Sequence, residues 1–305
     1  MLRLILSRLG SSVLVIFAVA TIAFFLMRCA PGGPFDEERS LLPEVQRNIE
    51  ERYHLNDPLI SQYADYIGGL AKLDFGQSLK RPQTVNELIA GHYGYSLTLG
   101  LMAIAIALSL GLTMGVAAAA RRNTWVDHSL MSFALLGVSI PSIVLAPLGI
   151  AAFALHLGWL PPARAEGLSS YLLPAFTMGL IYTGTIARLT RAGMLEVLGQ
   201  DFVRTARAKG LSERAVVWRH AVRLGVVPVA TYLGPAMASM IAGSFVIEQI
   251  FQIPGLGFYF VSSVSDRDYP VLTGMLVFYV VILVALNLVS DLAHGALDPR
   301  VREQR

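Results

Sequence analysis

Lysine and cysteine are almost missing from this sequence, and charge of either sign is scarce. Of 24 basic residues only three are lysines, Lys72, Lys80 and Lys209. None is preceded by Gly or followed by Ser or Thr, so no G-x4-G-K-[ST] phosphate loop exists and the chain is not its own P-loop ATPase. A single cysteine, Cys29, allows no internal disulfide, and neither C-x2-C nor H-E-x2-H spacing occurs, which argues against a metal centre. Charged residues make up 15%, against about 25% in ordinary soluble domains. With 54% hydrophobic residues, the chain reads as an all-α polytopic membrane protein. Its net charge of +3 is gathered at membrane ends, unlike the basic face that binds nucleic acid.

Six long apolar stretches are present, at about 9–27, 96–120, 127–156, 171–192, 226–250 and 270–292. The first is too long for a signal-peptide core and lacks an A-x-A-like cleavage site, so an uncleaved helix is expected. Arg3, Arg8, Arg121, Arg122, Arg188, Arg191, six loop bases, Arg300, Arg302 and Arg305 fall on one side, fifteen in all. The shorter loops of the other side carry only Arg164 and Arg267, which puts both termini in the cytoplasm. Residues 28–95, with ten acids and seven bases, lie outside, and periodic apolar residues predict amphipathic helices over 43–55 and from Leu59 to Leu70. Pro31-Gly32-Gly33-Pro34 marks the turn that leaves the first span.

Within the spans, Gly111 and Gly115 form a G-x3-G step suited to close helix packing. Arg188 and Arg191 end the fourth span within snorkelling reach of the surface. Pro141 and Pro147 break the third span, and Gly234-Pro235 the fifth. Pro141, Ser142, Gly234, Pro235, Ser244 and Glu248 are the candidate residues of a pathway through the membrane, with simple kinks and packing as the alternative. Glu248 is either a pathway carboxylate or an outer-interface group held by hydrogen bonds. Residues 251–269 read as a Pro/Gly-turned re-entrant piece.

The stretch 201–228, DFVRTARAKGLSERAVVWRHAVRLGVVP, stands apart. Between Gly193 and Pro228 six bases face three acids, a charged island that hydrocarbon would exclude. Its pattern predicts helix, a break at Gly210, then a second helix capped by Ser212. Such a knob can serve either as a topology-fixing loop or as a docking element for a soluble partner.

The run Arg204-Thr205-Ala206, three residues, then Gly210 resembles the EAA-x3-G loop of bacterial ABC-importer permeases, with Arg204 in place of the Glu and Arg223 in place of a later Pro. PGGPF (31–35), RYHLNDP (52–58), DFGQS (74–78), IPS (140–142), ARLTRAGMLEVL (187–198), GSFVIEQIFQIPGLG (243–257), SDRDYP (265–270) and LDPR (297–300) extend the likeness along the chain. Together they are similar to the B-type permease of bacterial oligopeptide ABC importers. That resemblance implies a type I importer permease of six transmembrane helices in the bacterial inner membrane. It divides the chain into a first helix (1–28), an extracytoplasmic insert (29–94), a core (95–294) carrying the coupling loop 193–228, and a tail (295–305). It also implies a second, C-type permease, two ATPase subunits that bind ATP and Mg, and an extracytoplasmic peptide-binding protein. On this resemblance Arg204, Thr205, Ala206, Arg207, Ala208, Lys209, Gly210, Leu211, Ser212, Arg219 and His220 would couple to the ATPase. No catalytic residue and no cofactor of its own is expected. Dipeptide, nickel-chelate and peptide-antibiotic permeases share the pattern. An ion-coupled secondary transporter would want paired intramembrane acids or an inverted repeat, and an intramembrane protease a Ser in G-x-S-G context; neither feature is found.

Overall fold

The computed structural model describes residues 2–29, 56–162, 166–242 and 245–297. The described helices are α1 (Leu2–Cys29), α2 (Leu59–Ala71), α3 (Val85–Ala120), α4 (Trp125–Ser139) and α5 (Ser142–Gly149), the last continued by a π-helical turn over Ile150–His156. Next come α6 (Leu168–Leu198), α7 (Asp201–Ala208), α8 (Glu213–Ala215), a second π-helical turn (Val216–Ala221) and α9 (Val222–Gly225). The chain closes with α10 (Val227–Ala242), α11 (Phe245–Ile250), α12 (Leu256–Ser265) and α13 (Tyr269–Leu297). Four of these, α1, α3, α6 and α13, are long and apolar enough to cross a membrane; Val227–Ile250, which takes in α10 and α11, is a fifth candidate, and α4 with α5 and its continuation a sixth, bent by 104°. Two compact units result, one of residues 1–94 with 254–284 and one of 95–253 with 285–305.

In the first unit the amphipathic helix expected from Leu59 is present as α2, while 43–55 lies outside the described residues. Its Tyr63 hydroxyl shares a 2.8 Å hydrogen bond with Thr21 of α1, and Phe24 stacks on Tyr66. Helix α3 starts well before the expected residue 96 because a capping box opens it. The Thr84 backbone N–H donates to Glu87, whose own N–H donates to Thr84 Oγ1. Two sequence motifs 190 residues apart meet here: buried Ser78 donates to buried Asp268 at 2.5 Å, and the Leu79 N–H donates to the other carboxylate oxygen. Residues 251–269, expected as a turned re-entrant piece, are a turn followed by the regular helix α12.

The second unit is organised around α6, whose apolar window is 56% buried. Its buried face is made of small residues and threonines. Thr177, Thr183 and Thr190 each donate to the carbonyl four residues earlier, so their hydroxyls are satisfied before any neighbour arrives. The G-x3-G step of α3 lands on this face. A Cβ at Gly111 would sit 2.6 Å from Ile186 Cγ2, and one at Gly115 would sit 2.6 Å from the Ala187 carbonyl oxygen. Around the contact lies one apolar core that includes Leu99, Ala103, Met178, Ile186, Met240 and Phe251.

The break expected from proline in the span over 127–156 is present at Pro141, as a bend of 104°, whereas Pro147 lies inside α5. Pro141 has no N–H to continue α4, and its extended backbone starts α5, whose Val144 and Leu145 N–H groups donate to the Pro141 carbonyl.

The α3–α6 contact has no slack, since a Cβ at Gly115 would meet Thr190 Cβ and the Ala187 carbonyl oxygen, neither of which a side-chain rotation can move. Gly115→Ala should lower thermal stability of the detergent-solubilised chain by about 1–3 kcal/mol, as overpacking does. A melting curve matching that of the unsubstituted chain would show that the helices can spread without cost.

Candidate functional site

The basic loop folds as a compact knob on the end of α6. Val203 and Ala206 of α7, and Val216, Val217 and Ala221 of the π-helical turn, bury themselves against Val116, Ala119, Met194 and Val197. The apolar side of the loop is therefore seated on the ends of α3 and α6, and its charged side is left outside. Gly210 breaks the helix as expected, with φ of +80° and no atom near a hypothetical Cβ, so conformation and not crowding selects glycine. Ser212 caps α8, accepting from the Ala215 N–H. The second helix is not regular α-helix throughout: past Ala215 it widens into π-helical geometry.

A fork across the Gly210 turn holds the knob together. Arg207 Nε donates to Glu213 Oε1 at 2.7 Å and Nη2 donates to Oε2 at 3.2 Å. The Arg207 hydrogen bonds hold the Glu213 carboxyl below the ordinary carboxylate value of 4.5, and the same bonds raise Arg207. Among the expected coupling residues, Arg204, Thr205, Arg207, Ala208, Lys209, Gly210, Leu211, Ser212 and Arg219 are exposed, and His220 is half-buried. Ala206 is the exception. At 6% exposure it belongs to the seat of the knob and not to its outer face.

Beneath the knob lies an ion pair that the sequence did not announce. Asp127, in the first turn of α4, has a side chain only 1% exposed. It accepts from Arg191 Nε at 2.6 Å, from Arg191 Nη2 at 2.7 Å and from the Asn123 N–H at 2.9 Å. Arg191 therefore divides its side chain: the guanidinium is held by a bidentate carboxylate, while 27% of the side chain still reaches the surface. The pair ties α4 to the stretch of α6 that carries the knob. A second tie is steric: a Cβ at Gly193 would collide with the Gly225 carbonyl oxygen, so the two ends of the loop pack backbone to backbone.

The candidate pathway residues separate. Pro141 and Pro235 are exposed and Ser142 is half-buried, whereas Ser244 lies outside the described residues. Gly234 is not an open break. A Cβ there would overlap Ser290, so the glycine admits α13. Glu248 is 0% exposed within the second unit, which places it neither at a wetted interface nor on a free surface of the chain. Its helix α11 packs directly on α5, the helix that Ser142 begins.

Comparison with known proteins fits this geometry. Residues 111–303 match the family model described as binding-protein-dependent transport system inner membrane component, and residues 1–100 match the model of that system's membrane-component N-terminus. The chain belongs to this family. It is 46% identical over 303 residues to the dipeptide transport system permease protein DppB of Bacillus subtilis, covering 99% of this chain and 98% of the relative. It is 43% identical over 305 residues to the oligopeptide transport system permease proteins OppB of Haemophilus influenzae and Escherichia coli K12, covering 99% of this chain and all of each relative. Among solved structures, an inward-facing MetNI methionine ABC transporter aligns with a TM-score of 0.61 at 16% identity, covering 69% of this chain and 96% of that chain. This second likeness establishes the fold, that of a type I importer permease. The protein is thus an inner-membrane permease component of a transport system that uses a binding protein.

The Asp127–Arg191 pair makes an asymmetric prediction. Arg191→Met strands a buried carboxylate and should cost about 3 kcal/mol, the low end for a broken buried pair. Asp127→Asn leaves an arginine that is already 27% exposed and can reach water, so it should cost clearly less. Thermal unfolding of the two purified variants measures this; equal losses, or a larger loss for Asp127→Asn, would refute it.

Proposed function

We propose that the chain forms half of the translocation pathway of an ATP-driven oligopeptide importer and couples to separate ATPase subunits through the 201–223 knob. The observation that carries this reading is identity of 43–46% along almost the whole chain to permeases named for oligopeptide and dipeptide transport. The knob supports it physically. An exposed basic surface, pinned by the Arg207–Glu213 fork and seated on α3 and α6, can pass a push from a soluble partner into two membrane helices without being squeezed itself. The partners on this reading are a second permease, two ATPase subunits that carry ATP and Mg, and an extracytoplasmic peptide-binding protein. The chain itself performs no hydrolysis. Helices α5, α10 and α11, with Pro141, Ser142, Pro235 and Glu248, are the segments whose shifts would open the pathway. Dipeptides are the second reading, because the Bacillus subtilis relative carries that name.

Uptake of labelled di-, tri- and pentapeptides by cells with and without this chain, its neighbouring subunits kept, tests the proposal. Loss of vanadate-sensitive pentapeptide uptake is the expected result. Loss of dipeptide uptake alone would select the second reading, and unchanged uptake of all three would overturn both.

Coupling has its own test at Gly210. Gly210→Asp places an acid in the middle of the basic face at a left-handed position, while no neighbour is displaced. The variant should reach the membrane in normal amount, keep peptide-independent ATP hydrolysis in the assembled complex, and lose transport by at least about tenfold, a loss equivalent to roughly 1.4 kcal/mol. Transport at the normal rate would remove the knob from the coupling route.

A further inference from the structure

Beside the knob, two cavities meet at one side chain. The first, about 570 Å³, lies where the end of α3 approaches the knob and is lined by Arg121, Arg122, Arg207, Arg214 and Glu213. Arg207 and Glu213 satisfy each other. Arg121, Arg122 and Arg214 are exposed and form no ion pair with any acid among the described residues, so the cavity presents three uncompensated positive charges. The second cavity, about 440 Å³, runs along α3 and is walled by Leu108, Leu112, Val116, Val222 and Val226. It follows α3 from Val116 to Ala105, roughly 16 Å at 1.5 Å per residue. Its two hydroxyls are already used: Ser109 donates to the Ile106 carbonyl and Thr113 to the Ser109 carbonyl. Trp218 lines both cavities and is 56% exposed.

We propose that these cavities together bind one anionic phospholipid of the cytoplasmic leaflet, its phosphate held by Arg121, Arg122 and Arg214 and an acyl chain laid in the groove past Trp218. Charge selects the headgroup, since a basic pocket at the cytoplasmic end of membrane helices favours anionic lipid. Position selects the chain. The groove begins at Val116, four residues before the end of α3, and runs along a helix apolar enough to cross a membrane, and an indole at the junction suits the boundary between headgroup and tail. A transported peptide's carbonyls would need donors, and the two hydroxyls of the groove, Ser109 and Thr113, have already given theirs to their own helix. A soluble protein could meet the arginines but not a groove at hydrocarbon depth, and a free phosphate would use the first cavity alone. Nothing in this assignment depends on which substrate the importer carries.

Native mass spectrometry of the intact importer, purified through this chain and titrated with dioleoylphosphatidylglycerol, dioleoylphosphatidylcholine or inorganic phosphate, tests the site. One phosphatidylglycerol should be retained per copy of the chain, at least about fivefold more tightly than phosphatidylcholine, the contribution expected of a single surface arginine. The combined variant Arg121→Gln, Arg122→Gln, Arg214→Gln removes only exposed groups and should abolish that preference. Leu112→Trp, which fills the groove and leaves the arginines in place, should weaken phosphatidylglycerol retention without changing any binding of phosphate. Equal retention of the two lipids would overturn the proposal, as would a preference that survives the triple variant. So would competition by inorganic phosphate as effective as that of the lipid. Lipid bound only after the ATPase subunits are stripped away would also overturn it, and would make the basic cavity a protein-docking surface.

Discussion

Everything in the second unit depends on how closely other backbones can approach α6. A helix in lipid gains nothing from merely hiding apolar side chains, because the surrounding tails are equally apolar; packing at short range must hold it. Helix α6 meets that demand with a face of glycine, alanine and threonine. The threonine hydroxyls are turned back onto carbonyls of their own helix, so burial leaves no polar group stranded. Partner glycines then bring the other helices in. Gly111 and Gly115 seat α3, Gly137 on α4 faces the Leu180 carbonyl, and Gly193 meets Gly225. Such contacts have two settings, together or apart, with little between.

That stiffness gives the knob its mechanical meaning. Its buried residues share one apolar cluster with α3 and α6, so a force on α7 cannot be absorbed by the loop sliding over its seat. The Asp127–Arg191 fork extends the same rigid body to α4. The compliant points lie further along the chain, where hydrogen bonding is interrupted. They are the 104° bend at Pro141, the π-helical turn at Ile150–His156, and Pro235 within α10. Under the proposed coupling role, rigid input and interrupted helices beyond it are the combination expected of a lever acting on a gate.

The elements legible in the sequence are those whose cause is local. Gly210 and Ser212 announce a turn and a cap through their own backbone preferences, and the apolar spacing from Leu59 announces α2. The G-x3-G step names its own use. Hydropathy underestimates α3 and α6 because their ends are polar turns that caps and packing stabilise, as Thr84 and Glu87 do at Val85. What could not be read depends on distant partners. Gly234 looks like a break until Ser290, far along the chain, is found against it. Arg191 looks like a snorkelling terminus until Asp127, 64 residues earlier, is placed within reach. Glu248 looks like an interfacial or pathway acid because sequence gives depth along a span but not the direction faced. The structure encloses it fully.

The enclosure of Glu248 bears on how the pathway can work. A carboxylate with no exposed surface contributes nothing to a peptide passing through this conformation, and Glu248 is not without a partner inside the fold, so in this state its role is structural. Its helix α11 packs on α5, directly after the bend at Pro141. If the proposed pathway role holds, straightening that bend would draw α5 from α11 and uncover the acid. The acid would then be buried in one state and available in the other. On that proposal a carboxylate partnered inside the core in this conformation is compatible with a transport cycle that exposes its cavity only part of the time.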